Sequence, residues 1–151
     1  MKKLLLSSCF FLIAQIIFAQ SVDKEQVRKA CMDYIEGFYE GDSTKLIRSL
    51  KPTLYKFGYW KDKKTGRYVQ DGQMTYKQAI AYSKNVLAKK NFAKAEAPKK
   101  VEILDVMDQI AAAKVTAWWG VDYILLSKQE DRWIIEQVLW EGPLETMSVV
   151  K

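Results

Sequence analysis

The apolar positions of the chain change period twice. Leu4 to Phe18 is an almost unbroken apolar run, interrupted only by Ser7, Ser8 and Gln15. From Val22 to Glu40 the apolar residues Val27, Cys31, Tyr34, Ile35 and Phe38 recur at helical spacing, with Ser21 placed to cap the start and Gly41 to end it. Asp42-Ser43 then opens a short helix with Leu46, Ile47 and Leu50 on one side. It must stop before Pro52, because proline disfavours a helical residue ahead of it. The two helices are expected to lie antiparallel. Tyr55–Trp60 and Gly66–Val69 flank the turn-rich Lys61-Asp62-Lys63-Lys64-Thr65, the pattern of a small exposed hairpin. Thr75-Tyr76-Lys77-Gln78 has capping-box spacing, and Ala79, Ile80, Ser83, Val86 and Leu87 form the inward stripe of a third helix ending near Lys90.

Pro98 restarts the chain in a strand register. Val101–Met107, Ala111–Leu126 and Trp133–Trp140 are rich in Val, Ile, Leu and Trp, with turn-like breaks at Asp108-Gln109 and Lys128-Gln129-Glu130-Asp131. Three long strands in a meander are expected. Helices first and long strands last predict an α+β domain, with helices packed on one face of an antiparallel sheet.

The 151 residues suffice for one domain with a sizeable core. The basic start Met1-Lys2-Lys3, the apolar run and the small Ala19 before Gln20-Ser21-Val22-Asp23-Lys24 read as a secretory signal peptide cleaved near Ala19. A membrane span needs about 20 apolar residues, and this run stops short of that. The expectation is therefore an exported protein, periplasmic or secreted, with residues 1–19 as signal and 20–151 as a single domain and no integral membrane anchor. Leu6-Ser7-Ser8-Cys9 is a loose lipoprotein-like box, but the apolar run continues past it.

Charge and composition then narrow the chemistry. Lys+Arg 24 against Asp+Glu 18 gives +6 without a single histidine, which removes the commonest general base and metal ligand. Loss of Lys2 and Lys3 would leave a modestly basic domain, a balance that favours solubility over nucleic-acid binding. Lysines cluster over the third helix and its exit, at Lys77, Lys84, Lys89, Lys90, Lys94, Lys99 and Lys100, and read as a solvated face. Cys31 sits on an apolar helical stripe with no activating base, which is the setting of a buried structural thiol. No phosphate loop, dinucleotide fingerprint or zinc spacing occurs, so no metal or cofactor is expected.

Asp122 is the leading candidate for chemistry. Strand alternation places it with Trp118, Ile124 and Leu126, opposite a face bearing Trp119, Val121, Tyr123 and Leu125. An even-length turn in the last hairpin would set Asp122 against Gln137 and Tyr123 against Glu136. A carboxylate inside an apolar strand needs a partner or a raised pKa. It is either a general base, with Tyr34, Tyr55 and Trp118 lining its cavity, or an acceptor for a tyrosine at a pocket floor. Trp60, Trp118, Trp119, Trp133 and Trp140 are able to stack a flat heterocycle or to fill the core. Because both faces of the long strands are apolar and the helices cover one, a homodimer through the other face is expected, using Trp119, Val121, Tyr123, Val138 and Trp140.

The element order, with Tyr34-Ile35-Glu36-Gly37-Phe38-Tyr39 in the first helix, Leu50-Lys51-Pro52 after the second, and Trp119-Gly120-Val121-Asp122-Tyr123 leading to Trp133-Ile134-Ile135, resembles the putative lumazine-binding family of the nuclear transport factor 2-like superfamily over about residues 22 to 144. The resemblance implies a cystatin-like, cone-shaped fold with a curved sheet around three helices, a pocket between them, and a dimer through the sheet. It also implies functions that range from isomerases to non-catalytic binding modules. The family often carries His-Pro where Lys51-Pro52 stands, so Lys51 becomes an anion-holding candidate instead of a proton shuttle. The ligand-binding candidates are thus Asp122, Trp118, Tyr34, Tyr55, Trp60 and Lys51. The leading expectation is a non-catalytic binding or assembly module for a small aromatic ligand. The alternative is a small isomerase or dehydratase with Asp122 as base and Tyr34 or Tyr55 stabilising an enolate.

Overall fold

The computed structural model describes residues 2–143, with side chains from residue 21 onward. The expected cleavage point near Ala19 and the signal residues before it fall outside the described side chains. Nine elements follow in the order α1 (Lys2–Tyr39), α2 (Ser43–Ser49), β1 (Leu50–Lys61), β2 (Tyr68–Met74), α3 (Tyr76–Lys89), β3 (Lys100–Val106), β4 (Ile110–Ala117), β5 (Gly120–Gln129) and β6 (Arg132–Gly142). Among the described residues no helix is long and apolar enough to cross a membrane.

Local chemistry explains the helix ends. The Asp42 carboxylate accepts from the Thr44 amide at 2.9 Å and caps α2. Thr75 and Gln78 close a reciprocal capping box on α3. The three helices pack on one face of a six-stranded sheet in the order β2-β1-β6-β5-β4-β3. Within the described residues the core is shared between the α1 stripe Val27, Cys31, Tyr34, Ile35 and Phe38 and the inward residues of the strands, among them Val115, Ile124, Leu126, Ile135 and Val138. The fold class is α+β, as the element order predicts.

Several expectations need correction. The sheet is mixed, because β1 runs parallel to β6 while every other neighbouring pair is antiparallel. Strand β1 also begins at Leu50, directly after α2, and runs through Pro52; its register on β6 slips between Leu50 and Tyr55, where the proline lies. The expected single strand Ala111–Leu126 is in fact two, joined at Trp118-Trp119. Gly120 (φ +148°) makes this turn possible, since a Cβ there would stand 2.0 Å from the Glu141 carbonyl. The turn breaks the alternation that separated the two tryptophans, and strand parity cannot be carried across it.

The last hairpin turns on two residues, Glu130 and Asp131, and Asp122 pairs with Trp140 and Tyr123 with Leu139, not with Gln137 and Glu136. A bulge between Leu125 and Leu126 leaves Glu136 as the extra residue of β6. In consequence Val138 is buried in the core and Trp140 turns to the helix side instead of outward, where Trp119, reset by the turn before β5, joins it. The face away from the helices still carries Tyr55, Tyr59, Tyr123, Leu125 and Leu139, all substantially exposed.

Candidate functional site

The site is built from the inward residues of β1, β6 and β5. Alternation along β1 turns Leu54, Lys56, Gly58 and Trp60 to the helix side. The register aligns Lys56 with Val138 and Ile124, and Gly58 with Trp140 and Asp122, so Lys56 and Asp122 lie one row apart with β6 between them. Gly58 matters here for space. A Cβ on it would meet the Trp140 ring at 2.5 Å, so only glycine lets that indole lie across β1. Helix α1 lowers Tyr34 and Phe38, one turn apart, onto this surface.

The Tyr34 hydroxyl fills the gap between the two charged groups. It donates to Asp122 Oδ2 at 2.8 Å and accepts from Lys56 Nζ at 2.8 Å. Trp119 Nε1 donates to the same carboxylate at 3.0 and 3.1 Å. Lys56 is 6% exposed, and Tyr34 and Asp122 are fully buried. Burial lowers the Lys56 pKa against the opposing charges of Asp122 and Asp71. Burial likewise raises Asp122, against Lys56 and its hydrogen bonds, and raises Tyr34 well above its ordinary range. Each group is pushed toward its neutral form, and the hydroxyl stays protonated.

Above this relay opens a cleft of about 270 Å³. Lys56 and Tyr34 form its floor; Phe38, Trp60, Trp119 and Trp140 are its walls; Met74, Tyr82, Trp118 and the β2 residues Asp71 and Gly72 surround its mouth. The walls brace one another: Trp119 meets Tyr34, Phe38 and Tyr39 edge-on at ring distances of 5.6–6.0 Å, and Trp60 lies 6.2 Å from Trp140. Lys56 Nζ stands 5.5–6.0 Å from the ring centres of Tyr34, Trp119 and Trp140, within cation–π range.

Of the sequence candidates, Tyr34, Trp60 and Trp118 line the cleft together. Asp122 sits directly behind Tyr34 and is not part of the lining. Tyr55 points to the opposite face of the sheet, 46% exposed and in tilted ring contact with Phe57. Lys51 is paired with Glu136 at 2.7 Å, away from the cleft. Cys31 is buried, and desolvation pushes its thiol up to about 12. The residue that sequence reasoning missed is Lys56. Its signal was available, since it shares parity with Leu54 and Trp60, where a lysine is out of place.

Residues 22–141 match the family described as putative lumazine-binding. The chain belongs to that family. Among solved structures it is similar to an NTF-2 like protein of unknown function from Silicibacter pomeroyi, at 18% identity and a TM-score of 0.60, covering 80% of this chain and 96% of that one. An NTF2-like protein of unknown function from Shewanella baltica gives the same identity and TM-score, with 82% and 97% covered. A domain of unknown function with a cystatin-like fold from Nostoc punctiforme is similar at 13% identity and a TM-score of 0.52, covering 83% of this chain and 80% of that one. No curated protein matches. The likeness to these structures establishes the nuclear transport factor 2-like fold, and the family membership rests on the sequence match.

Proposed function

We propose that this member of the putative lumazine-binding family is an exported, non-catalytic module whose cleft binds a flat heteroaromatic molecule bearing a carbonyl oxygen on its ring. The observation that carries the reading is Lys56, a buried amine at the floor of a slot whose walls are aromatic rings. Stacking between tryptophans supplies affinity for a planar ring, and Nζ–H supplies the oxygen contact that fixes its orientation. The volume falls just below the roughly 300–1,000 Å³ of typical small-molecule sites, so one or two fused rings fit and a dinucleotide does not. Export is supported by the basic start and the apolar run after it. The apolar outer face of the sheet supports a homodimer, because it bears a row of exposed large side chains that the helices do not cover.

The isomerase or dehydratase reading with Asp122 as base is the weaker one. Asp122 is not part of the lining, and two cleft residues, Tyr34 through its hydroxyl and Trp119 through Nε1–H, already direct their hydrogens at the carboxylate. The test is a titration with lumazine, a fused dioxo ring, followed by quenching of tryptophan emission. Saturable quenching that is lost in Lys56→Met and weakened in Trp140→Leu is expected. Quenching that is unsaturable, or equal in Lys56→Met, would remove the cleft from consideration.

A further inference from the structure

We propose that Lys56 is a covalent carbonyl-capture site, forming a reversible imine with planar aromatic aldehydes that enter the cleft. The inference rests on the cleft-binding reading above and adds a reaction to it.

Three features of the geometry converge on this chemistry. First, among the described residues no carboxylate lies within ion-pairing distance of Nζ; Asp122 is reached only through the Tyr34 hydroxyl, and Asp71 acts from the mouth. A desolvated lysine without a direct counter-ion is poised toward the free amine, the form that attacks carbonyl carbon. Second, Nζ is both buried and part of the lining of an open cleft, so an aldehyde stacked between the walls meets it without unfolding anything. The surface lysines of α3, such as Lys77 and Lys84, lie in water and carry no such enclosure. Third, the amine has an attached proton path. Nζ donates to Tyr34 Oη, which donates to the buried Asp122 carboxylate, and burial raises the affinity of that carboxylate for a proton.

The step balances without any oxidant or reductant. The Nζ lone pair adds to the carbonyl carbon while the C=O π pair moves to oxygen. The nitrogen loses one proton, passed along Tyr34 to Asp122, and the oxygen takes one from solvent at the mouth, giving a neutral carbinolamine. Return of the proton held at Asp122, through Tyr34 and the nitrogen, lets the carbinolamine hydroxyl leave as water when the nitrogen lone pair forms C=N. The C=N nitrogen is left carrying one proton and releases it to solvent in exchange for the one taken at the mouth, so an aldehyde and an amine have become an imine and one water. Lys56 is the reacting group, and Tyr34 and Asp122 act through it as proton-positioning residues.

The experiment treats the full exported protein with 2-naphthaldehyde and sodium cyanoborohydride at neutral pH, and reads intact mass and peptide maps over time. The expected result is a first adduct at Lys56 forming at least about tenfold faster than at Lys77 or Lys84, because an aldehyde stacked in the cleft is held beside Nζ. Tyr34→Phe should slow that adduct without moving it, and Lys56→Arg should abolish it. Labelling of Lys56 no faster than the surface lysines, or a first adduct retained in Lys56→Arg, would overturn the proposal. Mapping of the unmutated protein decides the matter even if a variant misfolds. Lumazine forms no imine, so lumazine quenching that persists while trapping fails would refute the capture step alone, and loss of both would refute the binding reading as well.

Discussion

Tyr34→Phe removes one oxygen atom and tests the centre of the site. The ring is fully buried and held by edge contacts with Phe38 and Trp119, so phenylalanine keeps the packing. What disappears is one hydrogen bond to the Asp122 carboxylate and one from Lys56, each 2.8 Å long. Bonds to ionisable partners contribute about 1.5–3 kcal/mol each, giving roughly 3–6 kcal/mol in total. The variant no longer has to bury a hydroxyl, which returns about 1–2 kcal/mol. A net loss of about 2–4 kcal/mol is therefore expected, a large share of the roughly 5–15 kcal/mol that holds a domain folded. Urea unfolding followed by tryptophan fluorescence measures it, with an unchanged denaturant slope as the check that the unfolded state is not altered. Tyr55→Phe is the control: that hydroxyl is on the exposed face and should change stability by less than about 0.5 kcal/mol. A Tyr34→Phe loss below about 1 kcal/mol would mean that Lys56 and Asp122 do not depend on the hydroxyl, and the relay as described would be wrong.

Three further outcomes follow from the same geometry. Burial works to raise the Glu136 pKa, but hydrogen bonds from Lys51, Ser127 and Gln129 and the charge of Lys51 hold it below 4.5. Its contribution is thus present above 4.5 and lost as pH falls through the lowered folded value, so Lys51→Met should flatten the acid limb of a stability–pH curve; an unchanged limb would exclude the pair as its source. Lys56 is lowered by burial, so the unfolded chain binds the proton more readily between the folded value and 10.5. Stability of the unmutated protein should rise with pH through that window relative to Lys56→Met, and parallel curves would show that Lys56 is not desolvated. Tyr123 is 54% exposed at the centre of the outer apolar face, and Tyr123→Lys should convert a dimer to monomer in sedimentation velocity. A monomer before mutation would rule out the dimer.

Legibility followed the range of the interactions. The helices were readable because each carries its own punctuation: the Asp42 cap, the Thr75–Gln78 box and the periodic stripe from Val27 to Phe38 are all local. The β1–β2 hairpin was readable for the same reason. What the residues could not disclose was the parallel pairing of β1 with β6, which joins segments some eighty positions apart and depends on no local signal. The face of each tryptophan was equally hidden. Trp118 and Trp119 form a turn that resets alternation, and Trp140 faces inward because Gly58, on another strand, leaves room for it. Asp122 was identifiable because a carboxylate in an apolar strand is conspicuous. Lys56 carried a weaker signal, its parity with Leu54 and Trp60, which a lysine beside an exposed hairpin hides until β6 and α1 enclose it.

That enclosure also argues for function over stability as the reason for the buried charges. A methionine at position 56 would fill nearly the same volume, and Tyr34 would still satisfy Asp122, so the fold itself does not require the amine. A pure packing solution would likewise close the slot between Trp60, Trp119 and Trp140, whereas the structure leaves a cavity of about 270 Å³ open at the β2 side with the amine at its base. An apolar cavity weakens the core that surrounds it, and a desolvated lysine adds a further cost. Both costs fall on the same few residues, and under the proposed function both would be relieved by one event, the arrival of a planar molecule with an oxygen directed at Nζ. The coincidence of these two local destabilisations is what the binding reading accounts for and a packing role alone does not.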